Sequence, residues 1–119
     1  MQNPFWNSAG PRFIDRNEIL ALARGTAQRI AAEHTEVKKI LLFGSFARND
    51  YGARSDIDLL LVLSRSDKTA RERTAEYMDA EAGYPTDILA YTEEEIESEL
   101  ATGNPFIAGI LRDPVQLYP

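Results

Sequence analysis

The sequence predicts an α+β fold, in which strands and helices share a single chain of 119 residues. Three segments rich in apolar residues have the length of strands, at 37–43, 57–63 and 86–91. The segments between them carry helical periodicity or residues that cap helices. Aspartates open the second and third runs, so these strands are expected to cluster their carboxylates on one sheet.

The N-terminal part of the chain predicts an irregular segment, a long helix, a strand and a short helix. Residues 1–14 contain two prolines and a glycine and are expected to be irregular. Asp15 is a typical helix cap, and apolar residues recur behind it at helical spacing, which predicts a helix at 16–34. The apolar run 37–43 then forms the first strand, and a short helix is expected at 45–49.

The rest of the chain continues the alternation of strands and helices. The predicted elements are a strand at 57–63, a helix at 68–81, a strand at 86–91, a helix capped by Thr92, a short helix with Pro105 in its first turn, and an edge strand at 115–118. A turn at 83–85 separates the helix at 68–81 from the strand at 86–91. The length of the chain and the lack of any linker composition predict one domain at 1–119.

Charge and composition exclude several functional classes. Nineteen acidic residues against thirteen basic ones give a net charge of −6, which argues against general affinity for a nucleic-acid backbone. The chain has no cysteine, so disulfides and thiolate metal sites are excluded. No apolar stretch reaches membrane-spanning length, and the first residues lack the pattern of a signal peptide. We therefore expect no membrane association and a cytoplasmic location.

The most informative motif joins a small-residue turn to a pair of carboxylates. Gly44 and Ser45 end the first apolar run, and ten residues later Asp56 and Asp58 stand at the head of the second. Residues two apart on a strand point to the same face, about 7 Å apart, so the two carboxylates should repel unless a divalent cation lies between them. Gly44 leaves room for a ligand, and Ser45 is expected to cap a helix whose free N–H groups attract phosphate. The arrangement suits a triphosphate bound through Mg²⁺ or Mn²⁺.

These residues also resemble a known family. The stretches 41–48 (LLFGSFAR) and 55–62 (SDIDLLLV) resemble the signature of the polymerase-β-type nucleotidyltransferase superfamily, and more narrowly the minimal nucleotidyltransferases (MNT proteins) that act as antitoxins beside HEPN-domain toxins. The resemblance implies a mixed β-sheet flanked by helices. It also implies a third acidic residue on a later strand, which Asp87 matches. Many relatives have glycine after the arginine, where this chain has Asn49, a residue that tolerates a left-handed backbone.

The resemblance implies a chemistry and assigns roles in it. The expected reaction transfers a nucleoside monophosphate, AMP from ATP, to a hydroxyl group and releases pyrophosphate, with two Mg²⁺ ions as cofactors. The candidate catalytic and metal-binding residues are Asp56, Asp58 and Asp87. The candidate nucleotide-binding residues are Gly44, Ser45 and Arg48, although an exposed loop arginine is an equally ordinary reading of Arg48.

The resemblance also suggests the partner. It implies that the acceptor is a tyrosine on a HEPN-type ribonuclease toxin. The size of the chain leaves no room for a module that holds an acceptor, so the acceptor is expected to be small or to be brought by a partner. Two alternatives stay open. The chain could neutralise a toxin by contact alone, or it could modify a small molecule such as an aminoglycoside, which an acidic surface would attract.

Overall fold

Strands and helices alternate along residues 15–119, the part of the chain that the computed structural model describes. The irregular segment predicted at 1–14 lies outside these residues. In chain order the elements are α1 (Arg16–Glu33), β1 (Val37–Phe43), α2 (Ser45–Arg48), β2 (Ile57–Leu63), α3 (Ala70–Glu76), β3 (Thr86–Thr92), α4 (Glu93–Ala101), α5 (Pro105–Ile110) and β4 (Val115–Tyr118). The predicted α+β class is therefore confirmed.

The four strands form one mixed sheet in the order β3-β2-β1-β4. β1 pairs antiparallel with both β2 and β4, whereas β2 and β3 run parallel. A parallel pair needs a crossover connection, which α3 supplies. The mixed sheet flanked by helices is thus confirmed, and β4 forms an edge as expected.

Apolar residues of the sheet pack on both of its faces. On β2, the side chains of Ile57, Leu59, Leu61 and Leu63 join one core cluster, whose helical members come from α1 and α2. Leu60 belongs to a second cluster, with members from α4 and α5. Since strand side chains alternate between faces, Asp58 shares its face with Leu60 and therefore lies on the α4–α5 side of the sheet.

α3 is shorter than the helix predicted at 68–81. It begins after Thr69, whose side chain accepts a hydrogen bond from a first-turn N–H, and it ends where Tyr77 turns inward and becomes fully buried. Beyond that point the Asp79 carboxylate accepts a hydrogen bond from Arg29 Nε at 2.9 Å. Contacts with α1 therefore hold the segment after Tyr77 in a non-helical path, which helical propensity alone does not reveal.

The remaining elements agree closely with the prediction. β1 and β2 have the expected bounds, and β3 extends one residue further, to Thr92. The Asp15 carboxylate caps α1 by accepting a hydrogen bond from the Asn17 N–H at 2.9 Å. Pro105 lies in the first turn of α5, as expected. None of the helices in residues 15–119 is both long and apolar enough to cross a membrane.

Candidate active site

The three aspartates lie at the same end of the parallel strand pair. Asp58 of β2 and Asp87 of β3 are direct partners in the parallel register, and neighbouring strands lie about 4.8 Å apart. Asp56 precedes β2 by one residue. Both exposed groups, Asp56 and Asp87, flank the half-buried Asp58. The sequence-predicted carboxylates are therefore brought together by strand pairing.

Gly44 lies directly against Asp58. Its backbone has a φ of +79°, in the left-handed region that favours glycine. A Cβ added at Gly44 would stand 2.2 Å from Oδ2 of Asp58, far inside a van der Waals contact. The sequence argument gave Gly44 the role of leaving room for a ligand. In the structure, the absence of a side chain at Gly44 makes room for the carboxylate of Asp58.

The turn after Gly44 differs in one respect from the expectation. Gly44 itself is the N-cap of α2, and Ser45 is the first helical residue, so the predicted capping role of Ser45 is wrong. Among residues 15–119 no hydrogen bond uses the Ser45 hydroxyl, which leaves it able to contact a ligand. Asn49 closes the turn at a φ of +65°, which confirms that it takes the left-handed conformation.

An aromatic cluster beneath the turn fixes its position. Phe46 is fully buried, and its ring lies 4.8 Å from that of Tyr51 and 5.9 Å from that of Tyr84. The Tyr84 hydroxyl donates to the carbonyl of Ser55 at 2.8 Å, next to Asp56. Arg16 Nε donates to the Phe46 carbonyl at 2.8 Å. The cluster thus ties the Gly44 turn to the loop that carries Asp56.

The electrostatics of the carboxylates favour a cation. Burial, followed by repulsion from Asp87 and then Asp56, raises the pKa of Asp58 to about 6, and Arg48 opposes this only weakly. Burial and Asp87 also raise the pKa of Asp56. Because like charges in a confined volume disfavour ionisation, a divalent cation would relieve the repulsion and restore the charged forms.

The carboxylates do not form a finished metal cage. Within residues 15–119 no group of three or more Asp, Glu or His side chains is positioned closely enough to hold an ion. The side-chain carboxylates of Asp56 and Asp87 have no hydrogen bond or ion pair to any described residue, so both can rotate toward a ligand. Carboxylate oxygens are the ligands that Mg²⁺ prefers, so the type of ligand fits this ion. The side chains would have to move closer together to bind it.

A cleft of about 640 Å³ opens beside the turn, a volume typical of ligand pockets. It is lined by Phe43, Gly44, Ser45, Ala47, Arg48, Asp58, Pro105, Phe106, Gly109, Ile110, Arg112 and Asp113. Arg48 lies at its rim, where Nε is 3.1 Å from the carboxylate of Asp50. Asp56 and Asp87 do not line it.

The contribution of α5 to this cleft was not predicted. The residues of α5 lie some fifty positions after the Asp56–Asp58 motif, and only the packing of α5 against β1 and β2 returns them to it. An aromatic residue beside a proline in the sequence, Phe106, is the one local signal that could have suggested an exposed ring.

Comparisons with known proteins agree with this geometry. The sequence model of the family described as polymerase beta, nucleotidyltransferase, matches residues 26–104. Over 26 residues the chain is 65% identical to a protein of Methanocaldococcus jannaschii that is provisionally named a protein adenylyltransferase. That match covers 22% of this chain and 26% of the relative, about a quarter of the relative's length.

The fold also has a solved counterpart. A crystal structure of a provisionally named nucleotidyltransferase from Sulfolobus solfataricus superposes with a TM-score of 0.59 at 22% sequence identity. The alignment covers 85% of this chain and 80% of the other, and it shows that the fold is shared. Because the family model spans more than half of the sequence, this protein belongs to the polymerase beta nucleotidyltransferase family.

Proposed function

We propose that this protein is a Mg²⁺-dependent nucleotidyltransferase that transfers AMP from ATP to a hydroxyl group of a partner protein. The observation that carries the proposal is the pairing of Asp58 with Asp87 across β2 and β3, beside a turn whose glycine lies against Asp58. In a chain of the nucleotidyltransferase family, these carboxylates would bind the metal, and the adjacent turn would offer main-chain and hydroxyl groups to phosphate.

The metal would be held by Asp56, Asp58 and Asp87. Their mutual repulsion and the raised pKa of Asp58 are the features that a bound cation would offset. When bound, Mg²⁺ neutralises charge on the triphosphate and orients it. Asp56 and Asp58 would hold two ions, and Asp87 would complete one of the two sites.

The chain's own groups would orient the substrates and move one proton. The Gly44–Ser45 turn and the Ser45 hydroxyl would contact the β- and γ-phosphates that leave as pyrophosphate. Arg48, at the rim of the cleft, would exchange its contact with Asp50 for a phosphate oxygen. Asp87 is exposed and would accept the proton of the acceptor hydroxyl. The hydroxyl oxygen would then bond to the α-phosphorus as pyrophosphate leaves.

The proposed acceptor is a tyrosine of a HEPN-type ribonuclease toxin, which would make this protein an antitoxin. Two observations support the choice. The site lies open at the end of the sheet, with Asp56 and Asp87 exposed to an incoming chain. The relative from Methanocaldococcus jannaschii carries a name that refers to adenylylation of protein.

The test combines the protein with ATP, Mg²⁺ and the HEPN protein that its neighbouring gene is expected to encode. Intact-mass spectrometry should show the mass of one or more AMP groups on the HEPN protein, and its toxicity should fall. The double variant Asp56→Asn/Asp58→Asn should lose both effects. Asp67→Asn, an aspartate outside the cleft, is the matched control and should retain them.

The outcomes separate the competing accounts. A double variant that still relieves toxicity, with no mass added by the wild type, would indicate an antitoxin that acts by contact. Efficient transfer of AMP to aminoglycosides with none to the HEPN protein would replace the protein acceptor by a small molecule. Absence of AMP transfer to either class would contradict the proposed function.

A further inference from the structure

The cleft beside the catalytic candidates has two chemically different walls. One wall is formed by the Gly44 turn and carries Ser45, Arg48 and Asp58. The other wall, the α5 wall, presents Pro105, Phe106, Gly109 and Ile110, and beyond it Arg112 and Asp113 also line the cleft. Because the lining residues on α5 itself are apolar, the α5 wall suits an apolar part of a ligand.

Phe106 is the most notable residue of the α5 wall. It is 53% exposed, although a large aromatic side chain gains stability from burial. Of the large hydrophobic residues exposed within 15–119, namely Met78, Leu100 and Phe106, it alone lines the cleft. Its ring meets that of Phe43 edge to face, with centroids 6.3 Å apart and planes at 87°. Phe43 immediately precedes Gly44, so this contact holds the exposed ring beside the turn.

Gly109 widens the same wall. A Cβ added to it would meet no other atom within 4 Å, which shows that open space lies over this position of α5. A glycine inside a helix lowers helix stability relative to most residues, so its presence is not explained by the helix itself. Phe106 and Gly109 are three residues apart on α5, so the exposed ring and the open space over Gly109 are neighbours on one face of the helix.

We propose that the α5 wall binds the base of the nucleotide, with Phe106 stacking on the base and Gly109 leaving room for it. The inference rests on the proposed function and extends it, since it assigns the base to residues outside the signature motif. A nucleoside triphosphate has a charged end and a planar, largely apolar end. The turn wall suits the first, and the α5 wall suits the second. Because every base has a π-face, stacking on Phe106 should favour nucleotides over bare polyphosphate without selecting strongly among bases.

The first experiment separates base binding from phosphate binding. Calorimetric titrations would measure the dissociation constants of magnesium ATP and of magnesium tripolyphosphate, which has no base. Phe106→Ala should weaken ATP binding about 10-fold and leave tripolyphosphate binding unchanged, because stacking contributes only to the former. Phe106→Trp should restore ATP binding, and Leu100→Ala, an exposed residue outside the cleft, should change neither constant.

The second experiment uses steric occlusion. Gly109→Leu adds a side chain over the open space, so it should weaken ATP binding at least about 10-fold. It should not lower the melting temperature, since leucine favours a helix more than glycine does. Ala108→Leu adds similar bulk at the adjacent exposed position, which does not line the cleft, and should leave binding unchanged.

The results distinguish this inference from the function on which it rests. Equal losses of ATP and tripolyphosphate binding in Phe106→Ala would overturn the base assignment while leaving the metal–phosphate site intact. Unchanged ATP binding in both Phe106→Ala and Gly109→Leu would overturn it as well. If the wild type binds neither ligand, the proposed function fails, and the base site fails with it.

Discussion

Gly44 and Asp58 constrain each other within the candidate site. The turn brings the Gly44 backbone against the Asp58 carboxylate, and the left-handed φ of Gly44 makes that approach accessible. The motif therefore needs glycine for the internal fit of the protein as well as for a ligand. Sequence reasoning identified both residues but not their contact, because spacing along the chain does not give the distance between two strands.

Gly44→Ala should lower the rate of nucleotide transfer about 100-fold, because the added Cβ must displace the Asp58 carboxylate by more than an ångström. Gly103→Ala is the matched control. Gly103 has a φ of +81°, close to that of Gly44, but a Cβ there meets nothing within 4 Å. Both variants should lose stability from their positive φ, and Gly44→Ala should lose more because its Cβ also meets Asp58. Steady-state kinetics measure the loss of activity, and urea unfolding measures the loss of stability. Equal activities in the two variants would contradict the close fit between Gly44 and Asp58.

Asp58 carries a cost in stability that depends on pH. Its folded pKa, about 6, lies above the usual value of 3.8 for an aspartate. Its contribution to stability is therefore fully present below pH 3.8 and is lost as the pH rises through 6. Asp58→Asn removes the ionisable group, so the variant should be more stable than the wild type at pH 8, by about 1 kcal/mol once solvent screening of this half-exposed group is allowed for.

The advantage of Asp58→Asn should shrink toward zero as the pH falls to 4, since the wild-type carboxyl is then protonated in the folded state. Urea unfolding at pH 4, 6 and 8 without Mg²⁺ measures the trend. A difference in stability that stays constant across this range would contradict the burial and repulsion assigned to Asp58.

At the scale of elements, the strands could be predicted within a residue and their order could not. The apolar runs of β1 and β2 end at polar or small residues, so local composition sets their bounds. The position of β4 beside β1 and the return of α5 to the cleft depend on packing between distant segments. The shortened α3 has the same origin, since buried Tyr77 and the Arg29–Asp79 contact determine where the helix ends.

α3 is fastened to β3 and α4 by a single arginine. Arg73 is 5% exposed; its guanidinium donates to both carboxylate oxygens of Glu95 and to the carbonyl of Ala90, a residue of β3. Because Asp87 lies on the same strand, this arginine also helps to fix the strand that carries the third carboxylate.

Arg73→Met should lower the free energy of unfolding by about 3 kcal/mol, because it leaves the Ala90 carbonyl without this donor and removes the partner of Glu95. Lys68→Met removes the exposed pair with Glu76 near the same helix and should have a much smaller effect. Urea unfolding of the two variants makes the comparison. Similar small losses in both would show that Arg73 is not a structural anchor.

At the scale of the whole molecule, the candidate site is assembled from four separate parts of the chain. The turn after β1, the head of β2, the head of β3 and α5 contribute to it, and the sheet order brings them together. The first three were predicted because the signature motif is local and its third acid follows from the resemblance. The fourth was not, because nothing in the residues of α5 specifies which strand they will face. The acidic net charge of −6 is consistent with a protein whose phosphate-binding groups are confined to one cleft.

The most direct test of the account is a crystal structure with Mn²⁺ and a non-hydrolysable ATP analogue, in which anomalous scattering locates the metal. We expect Mn²⁺ about 2.1 Å from carboxylate oxygens of Asp56 and Asp58, with Asp87 rotated toward one ion and the terminal phosphates against the Gly44–Ser45 turn. The complex should not form with the Asp56→Asn/Asp58→Asn variant. Metal and nucleotide bound away from these carboxylates, or bound equally well by the double variant, would contradict the central claim that they form the catalytic centre.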